Sequence, residues 1–270
     1  MADKGVIVVK IGGSTLGSHD TAMEDLVALQ AEGRRVVVVH GGGKTISAWL
    51  ARANLESRFV RGLRVTDKDA LDVVVAVLAG LVNKDLVSSL NALGGRAVGL
   101  SGADGGLLQG TIRDRELGYV GDIACVNCGI LQALLSQGLM PVVASVAQSL
   151  EPSDEGVHLL NINADTAAGE VAAAIGAYSL IYLTDVKGIL DGDGSLLPDL
   201  TPSEARGLID RGVVTEGMIP KVLACLKGLE GTPLAQIIDG REPHALLRAL
   251  NGEPGGTTIR RADRAEGKVP

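Results

Sequence analysis

VVVVHGGGKT, residues 36–45, is a β-branched run that stops at three glycines and then passes into a helix-forming segment. Such a run reads as a buried strand, and the glycines at its end as the turn out of it. The last three residues, Gly43-Lys44-Thr45, match the close of a phosphate-binding loop, but the position that should carry that loop's first glycine is Val38. The motif therefore fails while its physical core survives. A strand ends at glycines, and a helix follows whose first N–H groups lack partners and face whatever lies beyond the strand. Three consecutive glycines are costly in chain entropy, which favours a close backbone approach to a ligand or to another chain. His40 reads as a packed strand-end histidine, and Lys44, just inside the helix, is poorly placed against its dipole.

The same rhythm recurs along the chain in VIVVKIGG (6–13), AVGLSG (97–102), PVVAS (141–145), LIYLTD (180–185) and QIIDG (236–240). Helical patterns lie between most of these runs. Residues 20–32, for example, put Met23, Leu26 and Val27 on one face and stop at Gly33. This alternation predicts a mainly parallel sheet covered by helices on both faces, with ligands collected at the carboxyl ends of the strands. Residues 107–126 read as a hairpin around the polar RDREL, and 191–204 as a loop; both are candidate lids. The 191–204 segment lacks the glycine and the glutamate that a calcium loop needs, having Leu196 and Pro202 there.

Composition narrows the function. A chain of 270 residues that is 46% hydrophobic, with mean hydropathy +0.27, can bury a large core. A net charge of −7 and an aromatic content of 2% disfavour nucleic acid, since the chain repels a polyanion and has little on which to stack bases. The apolar stretch 73–82, bounded by Asp72 and by Asn83-Lys84, is too short to cross a bilayer and reads as a buried helix. No secretory pattern opens the chain, so a cytoplasmic enzyme is expected. Cys125 and Cys128 form a CxxC, but the remaining Cys225 and scattered histidines do not supply a second ligand pair, so reduced thiols and no protein-held metal are expected.

Several strand ends carry groups suited to an anionic ligand. Lys10 precedes Gly12-Gly13, so its ammonium can reach an anion held by the glycine N–H groups, although an exposed strand-end lysine is the simpler reading. Arg64, in GLRVTD, can clamp a carboxylate or form a surface ion pair. Asn161, Asn163 and Asp165 alternate and share a face if extended, with Asp165 a candidate helix N-cap. Thr184 and Asp185 leave a strand, and Lys221 follows Pro220 at a helix start.

Taken in order, KIGGS, VVHGGG, FVRGLRVTD, LAGLVNK, AVGLSGADG, GYVG, NINAD, LTDVKGIL, GMIPKV and GTTI resemble the amino acid kinase family. Within it they are similar to the branch that phosphorylates the side-chain carboxylate of N-acetyl-L-glutamate with ATP in arginine biosynthesis. The resemblance is collinear over nearly the whole chain. It implies a three-layer αβα sandwich with a central, mainly parallel open sheet and two lobes. Residues 1–177 would bind the amino acid and form the dimer, and residues 178–270 would bind ATP, with the seam near Gly176-Ala177.

By the same resemblance Lys10 and Lys221 would stabilise the transition state, and Asp165 would orient them. Gly42, Gly43, Arg64, Asn161 and Asn163 would bind the acetylated amino acid. Gly12 and Gly13 would face phosphate. Thr184, Asp185, Val186, Lys187, Gly188, Ile189 and Leu190, with Val213, Val214 and Thr215, would border the nucleotide, whose phosphates would carry Mg2+. The first strand begins near Val6, which suggests no preceding regulatory helix, a homodimer built partly on the 73–82 helix, and little inhibition by arginine. Relatives that act on carrier-bound aminoadipate differ before the GLRVTD segment and at NINAD. A non-catalytic sensor would have no need of both lysines and Asp165.

Overall fold

The computed structural model describes residues 5–12, 21–151, 156–214 and 217–261. The chain opens with β1 (Val6–Ile11), α1 (Ala22–Ala31), β2 (Arg35–His40), α2 (Gly43–Arg52) and the short strands β3 (Phe59–Val60) and β4 (Leu63–Arg64). It continues through α3 (Lys68–Val75), a π-helical segment (Ala76–Val82), α4 (Asn83–Ala92), β5 (Ala97–Ser101), β6 (Leu108–Ile112), β7 (Val120–Val126) and α5 (Gly129–Ser136). Next come β8 (Met140–Ala144), β9 (Val146–Ser149), β10 (Leu159–Ile162), α6 (Ala164–Ile175) and β11 (Ser179–Thr184). The last elements are β12 (Asp199–Leu200), α7 (Pro202–Asp210), α8 (Ile219–Gly228), β13 (Leu234–Asp239), α9 (Ala245–Leu250) and β14 (Thr257–Arg260).

One eight-stranded sheet runs in the order β12-β14-β13-β11-β1-β2-β8-β5. The runs picked out in the sequence are its β1, β2, β5, β8, β11 and β13, and each pairing among them is parallel. Only β14 runs antiparallel to its neighbour β13. Because side chains alternate along a strand, the continuous apolar runs serve both faces. Val8, Val37, Val39, Leu180 and Tyr182 pack with α6 and α8, whereas Ile7, Val9, Val36, Val38 and Ile181 pack with α1, α2 and α4. These are two separate cores with the sheet between them, the expected αβα sandwich.

The hairpin expected at 107–126 forms as β6 and β7. Beyond it, β6, β7, β9 and β10 close into a small barrel, which the sequence reading did not anticipate. Two expectations need correction. The helix through 73–82 does not stop at Asp72 or Asn83. It runs as one 25-residue helical stretch from Lys68 to Ala92, long and apolar enough by length and composition to cross a membrane. Its apolar face is instead spent inside the protein, where Val74, Val77, Leu78, Val82, Leu86 and Leu90 join the core. The Asp67 carboxylate caps its start by accepting from the Ala70 N–H at 2.8 Å. Residues 191–204 are loop only in part, since a capping box between Thr201 and Glu204, with Pro202 at the first turn, starts α7.

α6 and α8 cross at close range, and small residues permit it. A Cβ on Gly169 would stand 2.5 Å from the Ala224 carbonyl oxygen, and Gly228 in turn lets α8 settle on β11, where a Cβ would meet the Leu180 side chain at 2.4 Å. Gly169 lies one turn beyond Asp165, and Ala224 just beyond Lys221, so this contact fixes the distance between the two helix starts. Gly169→Ala should destabilise the fold by about 1–3 kcal/mol through overpacking, read as a lower denaturant midpoint. A midpoint equal to wild type would show that the helices are not held there.

Candidate active site

Lys10 lies one residue before the end of β1, on the face that meets α6, and stands in register beside Tyr182 of β11. The Tyr182 hydroxyl donates to the Asp165 backbone carbonyl at 3.0 Å, tying the start of α6 to the sheet. Burial pushes the Tyr182 phenol well above its ordinary value, so it remains a donor. The cap of α6 is Asn163, a correction to the reading that gave it to Asp165. Asn163 Oδ1 accepts from the N–H groups of Asp165 and Thr166 at 2.9 and 3.0 Å. The Asp165 side chain is thereby released from capping.

That carboxylate holds both lysines. Lys10 Nζ lies 2.7 Å from Oδ1 and Lys221 Nζ lies 2.9 Å from Oδ2. The Asp165 side chain is 7% exposed. Lys221 comes from the first turn of α8, where Pro220 is tolerated because no helical N–H is lost. Burial alone would raise the Asp165 pKa, but the charges and hydrogen bonds of Lys10 and Lys221 outweigh it and hold the carboxyl below its usual range. The acid is therefore ionised and paired with both lysines, unavailable as a base.

Beside this triad lies a cavity of about 200 Å³, lined among others by Lys10, Gly41, Gly42, Gly43, Arg64, Leu78, Ser145, Asn161, Asn163 and Asp165. α2 starts at Gly43 with no side-chain cap, so the main chain of the glycine run borders the opening. A Cβ on Gly42 would sit 2.9 Å from a terminal methyl of Leu78 in the π-helical segment, which would have to move aside to admit a side chain. Arg64 is buried in β4, not in a loop as its sequence context suggested. Its guanidinium donates to Ser57 Oγ, to the Gly43 carbonyl at 2.9 Å and to Ser47 Oγ at 2.9 Å, and stacks 4.6 Å from the Phe59 ring centroid. Three of its five N–H donors are thus committed to the glycine loop and its neighbours. Asn161 donates to Thr66 Oγ1 at 3.0 Å, and Thr66 donates in turn to the Arg64 carbonyl.

His40 is wholly buried, with its pKa lowered to about 4 by burial and by the charges of Lys84 and Lys10, against the opposing bond to Gly41. It is neutral at physiological pH, as a packed histidine would be. Gly12 stands at the end of β1, its N–H 3.4 Å from the Leu183 carbonyl. Of the nucleotide stretch, Thr184 closes β11, and Asp185, Val186, Lys187 and Leu190 are exposed. Gly188 is buried, and the side chains of Ile189 and Val214 pack into the core, with Val213 half-buried beside it. The Ile189 N–H donates to Thr257 Oγ1 at 2.8 Å. These core residues can border a ligand only through their main chain. Gly13 and Thr215 lie outside the described residues.

Sequence reasoning passed over Ser47, Ser57, Thr66, Asn83 and Tyr182. Each is a common polar residue whose partners are distant in the chain. The one available signal was the pair of small residues at four-residue spacing, Gly169 and Ala173, one turn and two turns beyond Asp165, which marks a close helix crossing.

Comparison with known proteins places this geometry among relatives. A profile of the amino acid kinase family matches residues 5–239. An acetylglutamate kinase of Dehalococcoides mccartyi is 44% identical over 94% of this chain and 94% of its own length. One from Nostoc sp. is 48% identical over 94% of this chain and 86% of its own. Among solved structures, that of smu.665 from Streptococcus mutans superposes with a TM-score of 0.80 at 31% identity, covering 95% of this chain and 99% of that one.

The lowered pKa of Asp165 makes stability depend on pH. Its contribution is complete above the unfolded-state value near ~3.9 and is lost as pH falls through the lower folded-state value. Asp165→Asn should cost about 3–5 kcal/mol at neutral pH, because the buried Lys10 and the half-buried Lys221 ammonium groups lose their counter-charge. Its deficit relative to wild type should shrink in acid. Denaturant titrations from neutral pH downward check this, and a deficit independent of pH would count against a charge-based role.

Proposed function

The chain belongs to the amino acid kinase family, and on that premise we propose that it transfers the γ-phosphoryl group of ATP to the side-chain carboxylate of N-acetyl-L-glutamate. The products are N-acetyl-L-glutamyl 5-phosphate and ADP, a step of arginine biosynthesis. The observation that carries the reading is the meeting of two ammonium groups on one buried carboxylate, at the edge of a cavity bordered by a glycine run. The relatives named acetylglutamate kinase, similar over nearly the full chain, support the choice of acceptor.

The chemistry suits these groups. A carboxylate oxygen attacks the γ-phosphorus, the bond from phosphorus to the bridging oxygen breaks, and ADP leaves with that electron pair. Negative charge gathers on the equatorial and bridging oxygens, so positioning and charge compensation supply most of the catalysis. Lys10 stands on the acceptor side and Lys221 reaches in from α8, so each can meet one end of the transferring group. Asp165 holds the two cations at fixed positions and offsets their repulsion. The nucleophile is already ionised near neutral pH, its free side chain titrating near ~4.3, so no general base is needed. The neutral, buried His40 and the paired Asp165 accord with that.

On the acceptor side, Gly42 and Gly43, with Asn161 and the uncommitted N–H groups of Arg64, would hold the acetylated amino acid. Asn163 would act chiefly by capping α6. Gly12 would face the phosphoryl group, and the exposed residues from Asp185 to Leu190 would border the nucleotide. This assigns acceptor binding and dimerisation to residues 1–177 and ATP to 178–270, two halves joined where β1 pairs with β11. Mg2+ would enter as an ion carried mainly by the nucleotide phosphates and water. A homodimer would use the exposed edge of the long helix, where Leu81 is 45% exposed.

Lys10→Ala or Lys221→Ala should lower kcat at least ~10²-fold, as loss of one preorganised charge does. Arg64→Ala should raise the KM for the acceptor more than that for ATP. Trapping the acyl phosphate with hydroxylamine tests the acceptor itself: N-acetylglutamate should yield hydroxamate, and glutamate or carrier-linked aminoadipate should not. Wild-type turnover in both lysine variants would sink the assignment. For the dimer, Leu81→Asp should shift the sedimenting species to monomer in analytical ultracentrifugation, and an unchanged species would place the contact elsewhere.

A further inference from the structure

His40 is too buried and too weakly basic to exchange protons with a substrate, yet both of its ring nitrogens are engaged. Nε2 lies 3.1 Å from the Asn83 amide nitrogen, which can only donate. Nε2 is therefore the unprotonated nitrogen, and Nδ1 carries the hydrogen. Nδ1 lies 3.0 Å from the Gly41 carbonyl oxygen, which can only accept. The Asn83 amide nitrogen also faces the Val142 carbonyl at 2.9 Å and the Leu100 carbonyl at 3.3 Å, and Lys84 donates to its oxygen at 2.9 Å; with two hydrogens shared among three acceptors, it is the Gly41 carbonyl, needing a hydrogen on Nδ1, that completes the tautomer assignment. Asn83 is fully buried at the head of α4, and turning its amide over would set its oxygen against the Val142 carbonyl and its NH2 group against the Lys84 ammonium, so these partners fix its orientation.

The Gly41 carbonyl shares a peptide plane with the Gly42 N–H. No cis peptide occurs among the described residues, and in a trans unit the C=O and N–H point in opposite directions. A carbonyl held toward the buried imidazole therefore turns the Gly42 N–H away from it, and Gly42 is one of the residues that line the cavity. Glycines on both sides of this peptide leave it free to rotate, so an external hold is needed to keep one orientation.

We propose that Asn83 and His40 are positioning residues: Asn83 sets the imidazole tautomer, and the imidazole locks the Gly41–Gly42 peptide so that the Gly42 N–H faces the anionic oxygens of the reacting group. The proposal deepens the kinase reading above and rests on it. A preorganised N–H aimed at developing charge is worth ~10²–10³-fold in kcat, and a peptide free to turn forfeits a part of that.

The test pairs two substitutions with one spectroscopic measurement. His40→Leu removes the donor to Gly41, whereas His40→Asn restores an N–H at the place of Nδ1. The expected result is a kcat with N-acetylglutamate lowered ~10-fold or more in His40→Leu, an unchanged KM for ATP, and recovery of most of the loss in His40→Asn. Nitrogen-15 NMR of the wild-type protein should show His40 protonated at Nδ1. Equal kcat values in the two folded variants would overturn the proposal, and so would a proton on Nε2. Should neither variant fold, the tautomer measurement still decides. Absence of hydroxamate from the wild type would refute the kinase reading instead, with the tautomer result standing apart from it.

Discussion

A carboxylate buried between two ammonium groups sets the terms for the rest of the structure. Asp165 would be a costly ion on its own, and its two partners arrive from elements far apart in the chain, β1 and α8. Paired burial of this kind adds little net stability, because desolvation offsets much of the Coulomb attraction, but removal of one member leaves an uncompensated charge. The arrangement therefore acts chiefly as a geometric requirement. β1 must end beside the start of α6, α6 must cross α8 closely, and Asn163 must cap the helix so that Asp165 need not.

The surrounding features follow from that requirement. Gly169 and Ala224 let the two helices approach, and Tyr182 ties the first turn of α6 to the sheet. On the opposite side of the cavity, the glycine run is held by side chains that do no chemistry. Arg64 and Ser47 bond to the Gly43 carbonyl or its neighbours, and His40 grips the Gly41 carbonyl. Main-chain N–H groups are good anion ligands only when their peptide planes are fixed. Here the fixing atoms are spread over β2, β4, α2 and α4.

Local rules succeeded where the signal is short in range and failed where a distant group intervened. The strands were legible because buried parallel strands must be apolar on both faces, and the Val-rich runs are. The start of α6 was misassigned because Asn163 and Asp165 are both good caps, and only the lysines beyond the sequence window decide which is used. The long helix was cut short because Asp72 and Asn83 look like boundaries. Asp72 is exposed on the helix, while Asn83 is buried because a histidine and a carbonyl from other strands satisfy its amide.

The alternation of strands and helices, the two-faced sheet and the glycine run were set by composition and periodicity, properties that each segment carries by itself, whereas Lys10, Asp165 and Lys221 were singled out together only by the resemblance of ten ordered motifs to a known family. Which carboxylate oxygen meets which lysine, where Arg64 spends its hydrogen bonds, how β6, β7, β9 and β10 close into a barrel, and which way the Gly41–Gly42 peptide turns were decided only in three dimensions. The reason is physical: a hydrogen bond or an ion pair depends on distance and direction, and separation along the chain specifies neither.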